Sequence, residues 1–284
     1  MRSIKNVLII VNRKKKDSSQ ITDDIQSYLK SLNIKISVLS SGDKLSDTLS
    51  LPDFDLAISL GGDGTVLFAA RLLVEFSIPI IPINLGTFGF ITEVSKSEWQ
   101  SAFDEYRSGL LGVSNRVMLD ITVVRQNKDI KRFRGLNDLI INADGIAKLL
   151  SLNVDLNNDS LGKYRADGVI VATPTGSTAY SLAAGGPIIH PDMSSMILTP
   201  ICPFSLSNRP IVIPSSDRIT IIVEKEQRTQ VILTVDGQEV FPLEPEDEIH
   251  ITESEKRISI IRSDKRSFYE VVKTKLGWSG GNHA

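Results

Sequence analysis

The run Gly61-Gly62-Asp63-Gly64-Thr65 follows an apolar stretch and precedes an amphipathic one. Three glycines in four positions let the backbone take positive φ and approach a ligand with no Cβ in the way. Successive N–H groups at a helix start make a nest for phosphate oxygens, with Thr65 as a cap or further donor. Asp63 is out of place in such a nest, because a carboxylate repels the phosphate beside it. Its presence points to a proton to be moved or a metal ion to be held. The plainer alternative is a tight strand-to-helix turn with Asp63 as its N-cap. No GK[ST] follows and no GxGxxG is present, so neither a Walker A loop nor a dinucleotide fingerprint is read.

A second concentration of chemistry runs from Thr173 to Tyr180, where five of eight residues carry hydroxyls (Thr173, Thr175, Ser177, Thr178 and Tyr180). A turn is satisfied by one or two such groups, so this density suits a ligand rich in ribose and amide groups. Asp167-Gly168 precedes it and Gly185-Gly186-Pro187 follows it. Asn84-Leu85-Gly86-Thr87-Phe88-Gly89-Phe90 spaces two aromatics with two glycines, as a loop presenting a ring to a planar base would; packed aromatics beside a turn explain it equally. The basic run Arg13–Lys16 reads as a solvated loop, with a phosphate-attracting loop at a sheet edge as the sharper alternative. Asp144-Gly145 and Asp236-Gly237 read as hairpin turns. His190 and His250 read as structural.

Elements that could position these groups fall into two grammars. Strands are expected over 6–11, 35–39, 56–60 and 78–84, alternating with helices over 18–32, 65–76 and 99–107, which means an α/β layer with a mostly parallel sheet. From about Val117 short β-rich runs follow one another, over 118–124, 138–142, 149–156, 168–172, 219–223, 231–235, 248–252 and 258–261, with helical character only near 177–184. That is a second domain of largely antiparallel strands. The expected division is 1–114 for the α/β domain, 115–264 for the β-rich domain, and a C-terminal helical segment, 265–284, packing back on the first.

Composition narrows the chemistry. The 284 residues are enough for about two domains. With 32 Lys and Arg against 34 Asp and Glu the net charge is −2, which argues against a nucleic-acid binder. One cysteine excludes an intramolecular disulfide, and three scattered histidines argue against a cysteine- or histidine-rich metal site. The apolar run Val7–Val11 is too short for a signal-peptide core or a membrane span, so a cytoplasmic protein is expected.

Taken together, Gly61–Thr65, Asn84–Phe90, Asn137-Asp138, the TPTGSTAY run with its trailing AGGPI, Pro203–Pro210, Asp236–Gln238 and the ending Lys275-Leu276-Gly277-Trp278 resemble the NAD kinase family, in the family's order and over most of the chain. The resemblance implies transfer of the γ-phosphoryl group of ATP to the 2′-hydroxyl of NAD's adenosine ribose. ATP would enter with Mg²⁺ or another divalent cation, and the protein would be a homodimer or homotetramer. It makes Asp63 the general base, with Gly61, Gly62, Gly64 and Thr65 around it in the nucleotide site. Phe90 and Tyr180 would hold the adenine, and Asn137 with Asp138 the acceptor nucleotide. Thr178, Ala179 and Ser181 would contact its adenine and nicotinamide parts. Arg165 and Asp167 would reach a neighbouring subunit's site, while Lys148, Thr175, Ser177, Ala183 and Gln238 match further contact positions. The chain departs from the family at Asp138, where glutamate is usual, at Ala183, where serine is common, and at Phe204, which replaces a frequent histidine. Two rivals share parts of the pattern: a lipid kinase with the same glycine loop, and a dinucleotide-binding sensor without turnover.

Overall fold

The computed structural model describes residues 2–43, 51–145, 149–205, 207–227 and 229–278. The chain divides into two compact units, Met1–Asn115 with Ile258–Ala284, and Arg116–Arg257.

The first unit opens with β1 (Asn6–Val11), α1 (Ser18–Ser31), β2 (Lys35–Ser40), β3 (Leu56–Gly61), α2 (Asp63–Leu73), β4 (Ile80–Asn84), β5 (Val94–Ser95), α3 (Trp99–Ser108) and β6 (Val113–Arg116). β1, β3 and β4 are buried along nearly their whole length, which is why they read as unbroken apolar runs. Val7, Ile9 and Val11 point to one face, where they join Ile25 and Leu29 of α1 and Phe103 and Tyr106 of α3 in one core. α2 packs on the same strands and buries Val66, Leu67, Ala70 and Leu73. The helix expected over 65–76 starts two residues earlier and finishes as a 3₁₀ turn at Val74–Phe76.

The second unit holds β7 (Leu119–Arg125), β8 (Lys128–Gly135), β9 (Asp138–Ala143), β10 (Leu150–Leu156), β11 (Asp159–Ala166), β12 (Gly168–Ala172), the short helix α4 (Tyr180–Ala183), β13 (Ser195–Ile201), β14 (Ile211–Pro214), β15 (Ile219–Val223), β16 (Val231–Val235), β17 (Glu239–Leu243) and β18 (Glu248–Glu253). They form two six-stranded sheets, ordered β11-β10-β15-β18-β7-β8 and β14-β13-β12-β9-β16-β17. Every paired neighbour is antiparallel. Ile121, Leu152, Ile221 and Ile249 from one sheet and Leu139, Ile141, Val171 and Leu233 from the other share a single core, as in a β-sandwich. The outer face of the second sheet is covered by the chain after β12, where Ile170, Ala172 and Ile197 meet Ala184 and Ile189.

The chain then returns to the first unit with β19 (Ile258–Ile261) and α5 (Phe268–Leu276). β19 runs parallel to β4, and the completed sheet has the order β2-β1-β3-β4-β19-β6, with β5 also on β4. Ser267 starts α5 with a reciprocal capping box to Glu270, and Gly277, at φ 63°, ends it. Among the described residues no helix is long and apolar enough to cross a membrane.

The sandwich core makes a direct stability prediction. Ile141 is fully buried in β9, so Ile141→Ala costs about 2–5 kcal/mol. Urea unfolding followed by circular dichroism reads this as a lower midpoint for the β-rich unit.

Candidate functional site

Three parallel strands of the first unit end side by side: β1 at Val11, β3 at Gly61 and β4 at Asn84. Gly61 and Asn84 are register partners, Leu85 N–H donates to Gly61 O (2.8 Å), and Asn12 N–H donates to Leu60 O (2.9 Å). The loops after these strands therefore share the carboxyl edge of the sheet, where open α/β folds bind ligands.

The glycines of the first loop serve space rather than torsion. None of Gly61, Gly62 and Gly64 has a positive φ, contrary to the expectation from composition. A Cβ on Gly61 would overlap the Thr65 hydroxyl, so the residue lets the first turn of α2 fold back on the strand end. A Cβ on Gly62 would meet nothing within 4 Å, which leaves that side of the backbone open to a ligand.

Asp63 is not an N-cap. Gly62 holds that position and Asp63 is the first helical residue, with its side chain directed away from its own helix to residues 90–92. Its Oδ2 accepts from Phe90 N–H (2.8 Å). Its Oδ1 accepts from Ile91 N–H (3.3 Å), Thr92 N–H (3.1 Å) and the Thr92 hydroxyl (3.0 Å). The Thr92 oxygen in turn accepts from Gly89 N–H (3.0 Å) and from Asn84 Nδ2 (2.9 Å), so its own proton points at Asp63. A Cβ on Gly89 would overlap the carboxylate itself. A carboxylate offers about four lone pairs. Oδ1 is crowded by three donors, whereas Oδ2 meets one and keeps a lone pair for a proton.

On either side of Gly89 the aromatics face cations. Arg266 lies 4.6 Å from the centroid of Phe88, and Lys275 Nζ lies 5.7 Å from that of Phe90. The basic run also reaches this edge, since Lys15 Nζ is 3.9 Å from the place a Cβ on Gly86 would take.

The second unit gathers another set. Asp236 stands with Gly237 in the turn between β16 and β17, with φ 52° and 63°, as the hairpin reading expects. It does more than turn the chain. Its buried carboxylate accepts from the N–H groups of Leu136 (3.0 Å), Asn137 (2.7 Å) and Asp138 (3.3 Å). Asn137 O then accepts from Thr173 N–H (2.8 Å), and a Cβ on Gly176 would overlap that same carbonyl. Three segments far apart in sequence are thus locked around Asn137 and Asp138.

Asp138 is buried, and its carboxyl is pushed up from an ordinary 3.8 to about 7. Burial is the main cause and the Asp236 charge adds to it, while a hydrogen bond from the Tyr180 N–H opposes both. Near neutral pH the group can therefore donate as well as accept a hydrogen bond. Asn137 Oδ1 and Thr175 Oγ1 are buried with no partner among the described residues. Buried polar atoms are normally paired, and these two sit in the loops expected to take a ligand.

Much of the hydroxyl density serves the fold. Thr173 Oγ1 donates to Leu136 O and accepts from Gly176 N–H. Ser177 Oγ lies 2.7 Å from Pro174 O and accepts from Ile189 N–H (3.0 Å), and Thr178 Oγ1 donates to Thr175 O (3.2 Å). Ser181 is buried against Thr199, 3.0 Å between hydroxyls. Of the five hydroxyls from Thr173 to Tyr180, that leaves Thr175 and the exposed Tyr180 outside these contacts.

The other expected site residues are more scattered. Ala179 precedes α4 and Ala183 ends it, exposed. Gln238 closes the Asp236 turn through its N–H to Val235 O (2.9 Å). Arg165 lies over Phe204, 5.1 Å from the ring centroid, and Asp167 joins β11 to β12 with its N–H on Ile201 O (3.0 Å). Lys148 lies outside the described residues. Thr92 and Asp236 were not foreseen as site residues. An Asp-Gly pair signals only a turn, and nothing local marks Thr92, whose partner is 29 residues away.

Among the described residues no three His, Cys, Asp or Glu side chains converge as a metal site would require.

Comparison with known proteins gives the family. Residues 43–110 match the ATP-NAD kinase N-terminal domain and residues 136–263 the ATP-NAD kinase C-terminal domain. The NAD kinase of Treponema denticola is 44% identical over 280 residues, 98% of each chain. That of Geobacter sulfurreducens is 41% identical over 224 residues, 79% of this chain and 78% of its own. Among solved structures, yeast NADH kinase complexed with NADH superimposes with a TM-score of 0.86 at 27% identity, covering 99% of this chain and 90% of its own. An NAD kinase from Archaeoglobus fulgidus in complex with ATP gives 0.76 at 25% identity, covering 95% and 98%.

The raised Asp138 carboxyl fixes the sign of a pH effect. Its contribution to stability is full below 3.8 and is lost as pH rises through about 7. Asp138→Asn removes the buried charge, so it should melt higher than the natural protein at pH 8 and show no gain at pH 4. Each kcal/mol relieved corresponds to about 2–4 °C in a thermal scan.

Proposed function

The chain belongs to the NAD kinase family, and from that membership and the site geometry we infer that it transfers the γ-phosphoryl group of ATP to the 2′-hydroxyl of NAD's adenosine ribose, forming NADP. One observation carries the mechanism: the Asp63 carboxylate is fixed by four donors on a glycine loop, with one lone pair of Oδ2 left over.

The acceptor is NAD and the donor Mg-ATP. The 2′-oxygen attacks the γ-phosphorus, the bond from that phosphorus to the β,γ-bridging oxygen breaks, and ADP leaves. The 2′-hydroxyl proton passes to Asp63 Oδ2. The donors on Asp63 hold its carboxylate aimed before substrate arrives, so little reorganisation is needed during the reaction. The Mg²⁺ of Mg-ATP offsets charge on the phosphates. The open backbone of Gly62 and the N-terminal end of α2 suit the approach of phosphate oxygens.

The acceptor's polar groups find partners in the second unit. The unpaired Asn137 Oδ1 and Thr175 Oγ1 take ribose hydroxyls or amide hydrogens, and Asp138 is able both to donate and to accept. The exposed Tyr180 ring supplies an apolar face for adenine. Thr178, Ala179 and Gln238 line the nucleotide through the loops that carry them, whereas Ser177 and Ser181 act by holding those loops in shape. Arg165, stacked on Phe204, serves a neighbouring subunit. A homodimer or homotetramer is supported by apolar side chains left exposed on the outermost strands of one sheet, Ile211 and Val212 on β14 and Val240 on β17. A cytoplasmic location completes the reading.

The test is NADP formation from NAD and Mg-ATP by the purified protein beside Asp63→Asn. Loss of a general base lowers kcat by about 10²–10⁴-fold, with NAD binding retained. Near-normal turnover in the folded variant contradicts the assignment. Saturable NAD binding without turnover in the natural protein favours the sensor, and absence of both favours the lipid kinase.

A further inference from the structure

The first unit contains a cleft of about 1000 Å³ that the account above does not use. One wall is the backbone and ring of Gly86, Thr87 and Phe88, and the other is α5 with the residues just before it. Four cations line it, Lys265, Arg266, Lys273 and Lys275, against the single acid Glu270. Arg266 is already committed, since it pairs through both terminal nitrogens with Glu98 (3.0 Å each) and covers the Phe88 ring. The Glu270 carboxylate accepts from Ser267 N–H (2.7 Å) in the capping box. Lys265 Nζ touches only a hydroxyl, that of Ser101 (3.3 Å). Lys273 and Lys275 are exposed and two residues apart on α5. Among the described residues no carboxylate is paired with any of these three lysines. Lys15 adds a fifth cation beside Gly86.

Unpaired lysines around a cleft this size repel one another and leave a positive potential that a polyanion offsets. The position of the cleft narrows the choice of anion. Its loop wall runs from Gly86 to Phe88 and continues without a break into Gly89–Thr92, the segment that grips Asp63. Val271 and the Phe88 ring give it an apolar side as well.

We propose that this cleft seats the polyphosphate chain of the phosphoryl donor, with Lys273, Lys275 and Lys265 as its cationic contacts. The proposal rests on the kinase reading and adds to it the residues that choose the donor. A bound chain here would press on the same loop that positions the general base.

The variant Lys273→Ala/Lys275→Ala, with Lys273→Arg/Lys275→Arg as its charge-preserving partner, tests this. Neither position is in the hydrophobic core. With ATP as donor, the alanine pair should raise the donor KM at least about tenfold, move the KM for NAD far less, and be largely rescued by the arginine pair. Unchanged donor KM in the alanine pair overturns the proposal, as does an equal rise in both KM values. Inorganic polyphosphate as a second donor separates the two sources of the same chemistry. A parallel loss with it supports the reading of the chain, whereas a loss with ATP alone overturns the proposal, because the lysines would then be reading the nucleoside. Equilibrium dialysis of ATP against the same proteins, without NAD, decides the question independently of turnover. If the natural protein makes no NADP, the kinase reading fails, while weaker ATP binding by the alanine pair still supports the cleft and equal binding still overturns it.

Discussion

The four hydrogen bonds that close on the Asp63 carboxylate are the constraint around which the first unit's site is arranged. They tie the start of α2 to the loop after β4, two segments that the sheet brings together by pairing Gly61 with Asn84. The glycines follow from the same requirement. Gly61 makes room for Thr65, and Gly89 must lack a Cβ because the carboxylate occupies that space. Asn84 and Thr92 extend the network by one shell, with Asn84 donating to Thr92 and Thr92 to Asp63. A carboxylate held this way loses little freedom on reaction and presents one defined oxygen.

The second unit solves the opposite electrostatic problem. Asp138 is buried beside another acid, and the fold accepts the resulting strain in charge to keep a group that can be a donor near neutral pH. Asp236 is the other half of this arrangement. It organises the Leu136–Asp138 backbone by accepting three N–H groups, which compensates its own burial while raising its neighbour. A ligand that hydrogen-bonds Asn137 Oδ1 and Thr175 Oγ1 would pair two buried atoms, so part of its affinity is already built into the fold.

Apolar strands were plain in the sequence: Asn6–Val11, Gly168–Ala172, Ile219–Val223, Val231–Val235 and Ile258–Ile261 have the bounds that their apolar runs imply. The four outermost strands of the sandwich were not. β8 and β11 are largely exposed and charged, β14 is four residues long, and β17 carries Pro242, all features that blunt a sheet edge and erase the alternation that marks a strand. β13 is central and apolar yet was missed too. Pro200 interrupts its pattern, and the fold tolerates it beyond Leu198, the last residue of β13 paired with β14. At the site, Asp63 and the hydroxyl-rich run stood out by residue type, and the resemblance supplied their roles. What stayed hidden was long-range. Composition cannot show that Asp236 reaches back about 100 residues to Asn137, or that the hydroxyls of Thr173, Ser177, Thr178 and Ser181 are spent on internal hydrogen bonds.

The central claim is that the grip of residues 89–92 on Asp63 is what makes it a competent base. Gly89→Ala tests it most directly, because the new methyl must displace the carboxylate or the loop. Steady-state NADP formation by this variant should show kcat reduced by about 10²-fold or more, in the range of losing a general base. The KM for NAD and the melting temperature should stay close to those of the natural protein. A folded Gly89→Ala protein with unreduced kcat would contradict the account.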